Sequence, residues 1–183
     1  MQRNLARTSE ADTTRSGLYL VPTRTTPRCQ HAPAGRTLHL LDVENLMGGP
    51  RRGRAAPAAA VTAYCAAAEV QPFDHIIVAV NHAIAVDTGV SCPGARLLAA
   101  GGRDGADLAL LAQVADVRRT AALYDRVVVG SGDGIFADTL YALKSFGIPV
   151  GVVSVQRFLS LSLARAATFV RFLPEPSLLQ LVS

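Results

Sequence analysis

Tryptophan is absent from this chain, lysine occurs once (Lys144), and aromatic residues make up only 5% of it. Few rings are therefore available for stacking on nucleobases, and a core must come from Ala, Val, Leu and Ile. Cysteine is scarce too. Cys29, Cys65 and Cys92 are odd in number, scattered, and form no C-x-x-C. A disulfide framework or a zinc site is not expected from that pattern. Cys29 and His31 make a C-x-H pair, but no second pair has matching spacing. Reduced thiols fit a cytoplasmic protein. No apolar run approaches the roughly 18–20 residues of a membrane helix, and the polar stretch Met1 to Thr14 has no signal-peptide core. Neither a membrane span nor a secretory leader is expected. G-x-G-x-x-G and G-x-x-x-x-G-K-[ST] are both missing, which weakens a nucleotide-cofactor reading. A phospho-receiver reading fails in part: Asp42 and Ser131 could belong to one, but Lys144 falls mid-helix and not at a strand end.

What is present fits one domain with a tail: 183 residues, half of them hydrophobic, with a formal charge of +4. The charge is unevenly placed. Residues 1–36 hold Arg3, Arg7, Arg15, Arg24, Arg28 and Arg36 against Glu10 and Asp12, and the remainder is balanced. This segment is rich in Thr, Arg, Ser and Pro, and lacks periodicity outside Leu18–Val21. It reads as a disordered basic tail. Its arginines could attract RNA, but they are spread out, and a solvated leader is the plainer reading. Residues 37–175 form the expected domain, and 176–183 a C-terminal tail.

From Thr37 onward, short apolar runs alternate with helical patterns. Thr37–Asp42, His75–Val80, Ala95–Ala100, Arg126–Gly130 and Pro149–Ser154 read as strands, and Thr168–Leu173 as a short terminal one. Helices are expected over Ala56–Val70, with Pro57 in its first turn, and over Gly105–Thr120, with Asp104 as N-cap. Two more follow: Phe136–Phe146, closed by Gly147, and Ser160–Ala167. Strands that are apolar on both faces and separated by helices imply a parallel sheet covered on both sides. Ligands of such sheets bind at the C-terminal strand ends.

That edge is acidic. Asp42, Glu44, Asp107 and Asp133 reach it from three separate loops, and Asp104 and Asp138 lie near. Unpaired carboxylates raise one another's pKa, so the cluster points to a cation, and oxygen ligands favour Mg²⁺ or Mn²⁺ over zinc. Each residue also has a structural reading. Asp133 and Asp104 could be helix caps, Asp107 a first-turn carboxylate, Asp42 a turn residue and Glu44 a surface residue. Asn81 and His82 follow the second strand as loop residues or substrate contacts. Arg51, Arg52, Arg54 and Arg103 flank the edge, either as phosphate contacts or as solvated charge.

Four segments resemble the NYN domain family of PIN-like nucleases. Leu40-Leu-Asp-Val-Glu-Asn-Leu46 resembles the family's opening D-x-x-N, and Gly105-Ala-Asp-Leu-Ala-Leu110 its middle helix start. Val128-Val-Gly-Ser-Gly-Asp-Gly-Ile-Phe136 resembles S-G-D-x-D-F, and Ser160-Leu-Ser-Leu-Ala-Arg-Ala-Ala167 the closing S-x-x-L. The resemblance covers residues 37–173. It implies a three-layer α/β/α sandwich with a mainly parallel sheet of about five strands, and metal-dependent cleavage of RNA.

By the same resemblance, Asp42, Asn45, Asp107 and Asp133 would line the catalytic cleft. Asp42, Asp107 and Asp133, with Asp138 and Glu44 as further candidates, would hold Mg²⁺ or Mn²⁺. Asn81, Arg103 and Ser131 are candidate substrate contacts. One position departs from the pattern: Ile135 stands where the motif has its second acid, and Asp138 lies one turn deeper on the helix. The expected activity is hydrolysis of single-stranded RNA. The alternative is a module with weakened catalysis that binds RNA or a protein through the same cleft. A nucleotide-binding regulator is a third reading. Whether the chain forms a homodimer or takes a protein partner stays open.

Overall fold

Thr37-Leu-His-Leu-Leu-Asp42 is buried at every position, as a strand with helices on both sides must be. The computed structural model describes residues 35–49, 55–102 and 104–175. Residues 1–34 and 176–183, with Arg51, Arg52, Arg54 and Arg103, lie outside the described residues. So do the readings that fell on them, including the Cys29–His31 pair and the short apolar run Leu18–Val21.

Strand β1 (Thr37–Asp42) runs into a short helix, α1 (Val43–Met47). Helix α2 (Ala56–Ala68), β2 (His75–Asn81), α3 (Ala85–Ser91) and β3 (Arg96–Ala100) follow. Helices α4 (Gly105–Gln113) and α5 (Val117–Leu123) lead to β4 (Arg126–Gly130). Then come α6 (Ala137–Ser145), β5 (Val150–Val155), α7 (Leu161–Ala166) and β6 (Phe169–Leu173). The sheet has six strands in the order β3-β2-β1-β4-β5-β6, and every neighbouring pair is parallel. The terminal segment beginning near Thr168 is thus a full edge strand.

This is a doubly wound order. The chain builds outward from β1 in one direction, then returns to lay β4 on the other side. Right-handed crossovers put the first-half helices on one face and the later ones on the other. Two apolar clusters result. Leu41, Val78 and Val80 pack with Leu46, Val61 and Tyr64 on the α1–α2 face. Leu38, Leu40, Val127 and Val129 pack with Leu110, Phe136, Leu140 and Leu163 on the opposite face. Truncating one of the large side chains among them to Ala costs about 2–5 kcal/mol.

Three local expectations are corrected. The helix read over Gly105–Thr120 is two helices, broken after Gln113. Asp116 starts the second by accepting the Arg119 N–H at 2.9 Å, and Leu108 is 58% exposed. Asp104 occupies the N-cap position of α4 but makes no side-chain cap bond. Its left-handed backbone (φ 56°) differs from the extended conformation that capping requires. Residues after Asn81, read as loop, form a 3₁₀ turn and α3. Gly147 does take the expected left-handed turn (φ 78°), and Pro57 sits in the first turn of α2.

Candidate functional site

Reversal of strand order between β1 and β4 opens a crevice at their C-terminal ends, the place where ligands of open α/β sheets bind. Asp42 is the last residue of β1 and is nearly buried. One of its oxygens accepts the Asn45 N–H at 3.2 Å, which starts α1. The other accepts the Ser131 hydroxyl at 3.3 Å. Gly48 ends α1 after five residues with a left-handed turn (φ 78°), so the helix is only long enough to present two polar side chains.

Those two side chains reach in different directions. Glu44 accepts the Asn81 N–H at the end of β2 through Oε1, at 2.9 Å. Asn45 accepts the Gly132 N–H in the loop after β4 through Oδ1, at 2.8 Å. One short helix thus ties three strand ends together. Gly132 allows this because there is no room for a side chain: a Cβ there would collide with the Phe158 carbonyl and stand 2.8 Å from Ser154 Oγ. The Gly132 carbonyl is itself held by the Ser160 N–H at 2.8 Å.

Asp133 projects from this locked loop and is exposed. Its Oδ1 accepts the Ile135 N–H at 3.0 Å, so its capping role is real and leaves Oδ2 outside that bond. Asp107 comes from the first turn of α4 and is 9% exposed, and its Oδ1 is buried without a hydrogen-bond partner among the described residues. Burial raises its pKa first. The charge of Asp42, a hydrogen bond shared with Asp42, and the charges of Asp133 and Asp104 add to this, bringing it to about 7. Burial also raises Asp42, against hydrogen bonds from Asn45, Asp107 and Ser131, with the charge of Glu44 adding to the rise.

The side chains face a cavity of about 460 Å³. Asp42, Glu44, Asp104, Asp107 and Asp133 line it, with Asn45 and Asn81, and no lysine, arginine or histidine is among its described lining residues. Three separate loops therefore do bring carboxylates to one place. Asp138 is exposed at the start of α6 and is not in the cavity wall. His82 lies beside Gly101, outside the wall. The Ser131 hydroxyl is directed to Asp42, and Arg103 lies outside the described residues.

Among the described residues, no three acidic, imidazole or thiol groups are gathered as a ready-made ligand set. The chemistry of the donors nevertheless fits a hard cation. All are oxygens, the described charged residues of the cavity are of one sign, and Asp107 Oδ1 is buried without a hydrogen-bond partner among the described residues. Side-chain rotation or intervening water would complete such a site.

Sequence reasoning did not foresee the reach of Glu44 and Asn45 to other loops. It also missed a buried network behind the site. His39 on β1 bonds the Tyr64 hydroxyl at 2.9 Å and Asp74 at 3.2 Å, and the Tyr64 ring lies against Gly130, just before Ser131. Gly130 and Gly132, spaced around the serine, were the available signal of close packing.

The NYN domain profile matches residues 28–175, and the chain belongs to the NYN domain family. A crystal structure of a protein of unknown function from Vibrio parahaemolyticus is similar in fold, with a TM-score of 0.52 and 17% identity, covering 79% of this chain and 97% of that one. No curated protein matches the chain significantly. Family and topology together define a PIN-like, nuclease-type α/β/α fold. No helix among the described residues is long and apolar enough to cross a membrane.

Proposed function

We propose that the protein is a divalent-metal-dependent ribonuclease that hydrolyses phosphodiester bonds of single-stranded RNA. The observation that carries this is the buried Asp107 Oδ1, without a hydrogen-bond partner among the described residues, in a cavity at the switch point of the sheet whose described charged residues are all acidic. Such a group costs free energy unless it meets a proton or a cation.

A Mg²⁺ or Mn²⁺ ion held by Asp42, Asp107 and Asp133 would supply the positive charge and Lewis acidity that phosphodiester hydrolysis requires. Every other part falls to the chain itself. Asn45 and Ser131 fix the Asp42 carboxylate through hydrogen bonds to each of its oxygens. Asp107, with a pKa of about 7, carries a proton part of the time at neutral pH and gives it up when positive charge enters the cavity. Asn45 holds the loop that presents Asp133. Asn81 lines the cavity; its side-chain oxygen accepts the Ala83 N–H, and its amide N–H groups would serve substrate. With few aromatic residues, RNA is held mainly by its phosphates and with little base preference.

A second reading has one specific observation in its favour. Ile135 occupies the motif's second acidic position, and Asp138 does not reach the cavity wall. A module with weakened catalysis would keep the cleft for binding RNA or a protein. The test is cleavage of labelled single-stranded RNA in Mn²⁺, beside an EDTA control and Asp107→Asn. Cleavage abolished by both establishes the nuclease. Folded protein that binds RNA and leaves it intact, across several RNAs and metals, establishes the weakened module.

A further inference from the structure

The described charged residues that line the cavity are all acidic, and they repel the backbone of an RNA that enters it. Positive charge elsewhere on the described surface would help to hold the strand. Several described arginines are already engaged: Arg157 pairs with Glu175, Arg171 with Glu69, and Arg126 donates to Thr37. Arg96 and Arg119 are exposed and have no ion-pair partner among the described residues. Both line a groove at the opposite end of the sheet.

The groove is two adjoining hollows of about 360 and 400 Å³ that share Ile77, Arg96 and Tyr124 as walls. Asp74 and His75 continue the first, and Asp116, Arg119 and Leu123 the second; the Asp74 carboxylate is taken up by His39 and the Thr37 and Gln71 N–H groups, and Asp116 accepts the Arg119 N–H. Each lies within the roughly 300–1,000 Å³ of ligand sites. The Tyr124 hydroxyl bonds His75 Nδ1 at 2.8 Å, which holds the phenol in place. Leu123 is half exposed. A fixed ring and an apolar side chain thus lie beside two guanidinium groups, which is the combination that takes a nucleobase and its phosphate.

Two elements connect this groove to the acidic cavity. Strand β3 has Arg96 at its start in the groove and Ala100 at its end in the cavity wall. Helix α4 has Asp107 in the cavity and Gln113 in the groove. The four-residue span along β3 is about 13 Å, within reach of a short stretch of RNA.

We propose that this groove is a second RNA-holding site, which takes a nucleotide of the strand being cleaved, with its phosphate on Arg96 and Arg119 and its base against Tyr124 and Leu123. The proposal rests on the RNA-cleaving reading of the acidic cavity, and its test is separate from cleavage. The affinity of a fluorescent single-stranded RNA of about 15 nucleotides is measured by anisotropy in EDTA, where a metal-dependent cleavage cannot run. Three proteins are compared: the full chain, its Arg96→Glu/Arg119→Glu variant, and an Arg165→Glu control with an exposed charge on α7. The double variant binds about tenfold more weakly, the slope of log affinity against log salt falls by about 1.4 (about 0.7 for each phosphate no longer neutralised), and the control changes little. A 4-thiouridine RNA crosslinks to the peptide carrying Tyr124. Arg96→Gln/Arg119→Gln gives the same direction with a smaller charge change and guards against misfolding. Wild-type affinity in the double variants, no RNA binding by the wild type, or equal loss in the control overturns the second site. Absence of cleavage in Mn²⁺ with the binding difference intact overturns only the nuclease reading.

Discussion

Asp107 carries opposing demands on stability and activity. Its folded pKa of about 7 lies above the usual carboxylate value of 3.8. Between those values the folded state keeps a proton that the unfolded state has lost. Stability therefore falls as pH rises from about 4 to about 7, by up to about 1.4 kcal/mol per unit, and then levels off. Without divalent cations, Asp107→Asn removes most of this slope and makes the protein more stable at pH 7.5, on the order of 2 kcal/mol. On the proposed ribonuclease reading, the same substitution should abolish RNA cleavage. Thermal melts in EDTA from pH 4 to 8, with and without the substitution, check the first statement. A melting curve of Asp107→Asn that tracks the wild type at every pH would remove the electrostatic argument for a cation. Asn45 acts differently, through the Gly132 N–H it accepts. Asn45→Ala leaves that N–H unpaired, costs about 1–2 kcal/mol, and loosens the loop carrying Asp133. Turnover should drop at least about tenfold with KM little changed, because the loss is of positioning and not of binding.

Among the elements, strands were the most legible, because unbroken apolar runs such as Val127-Val-Val129 have no other stable place than a sheet covered on both faces. The C-terminal edge followed from topology alone, which is why Asp42, Asp107 and Asp133 were placed together. Short helices were not legible. Helix α1 has five residues and α3 seven, too few for a period to show. The break between α4 and α5 turns on one cap, Asp116, inside a sequence that could have continued. The bonds from Glu44 and Asn45 depend on side chains meeting across 37 and 87 residues of chain, which no local pattern encodes. The packing of α2 on the sheet is of the same kind. It passes through Tyr64, which is fully buried and bonded to His39, which in turn bonds Asp74. Burial lowers the His39 pKa against the pull of Asp74, so His39 stays neutral and accepts or donates within the network. Removing only the hydroxyl, by Tyr64→Phe, leaves the ring against Gly130 and costs about 1–2 kcal/mol. Gly130→Ala is worse, since its Cβ would stand 2.6 Å from the Tyr64 ring, and overpacking adds about 1–3 kcal/mol. Urea melts of the two variants should rank in that order.

At the scale of the whole molecule, both apolar clusters and every carboxylate of the acidic cavity lie within residues 38–173. We propose residues 35–175 as the folding unit. The fragment 35–175 should then unfold in one transition within about 2 °C of the full chain, because nothing in either cluster is removed. What it loses is charge: Arg3, Arg7, Arg15, Arg24 and Arg28, set against Glu10 and Asp12. If those arginines each neutralised a phosphate, the salt dependence of RNA binding would fall by about 3.5 on their removal, at about 0.7 per phosphate. They are separated by four to nine residues and do not cluster, so each gains little from its neighbours at physiological salt, where the screening length is about 8 Å. The expected change in slope is less than about 1, with cleavage retained. A fall near 3.5 would instead assign RNA binding to the leading segment and leave the folded unit to cut what that segment holds.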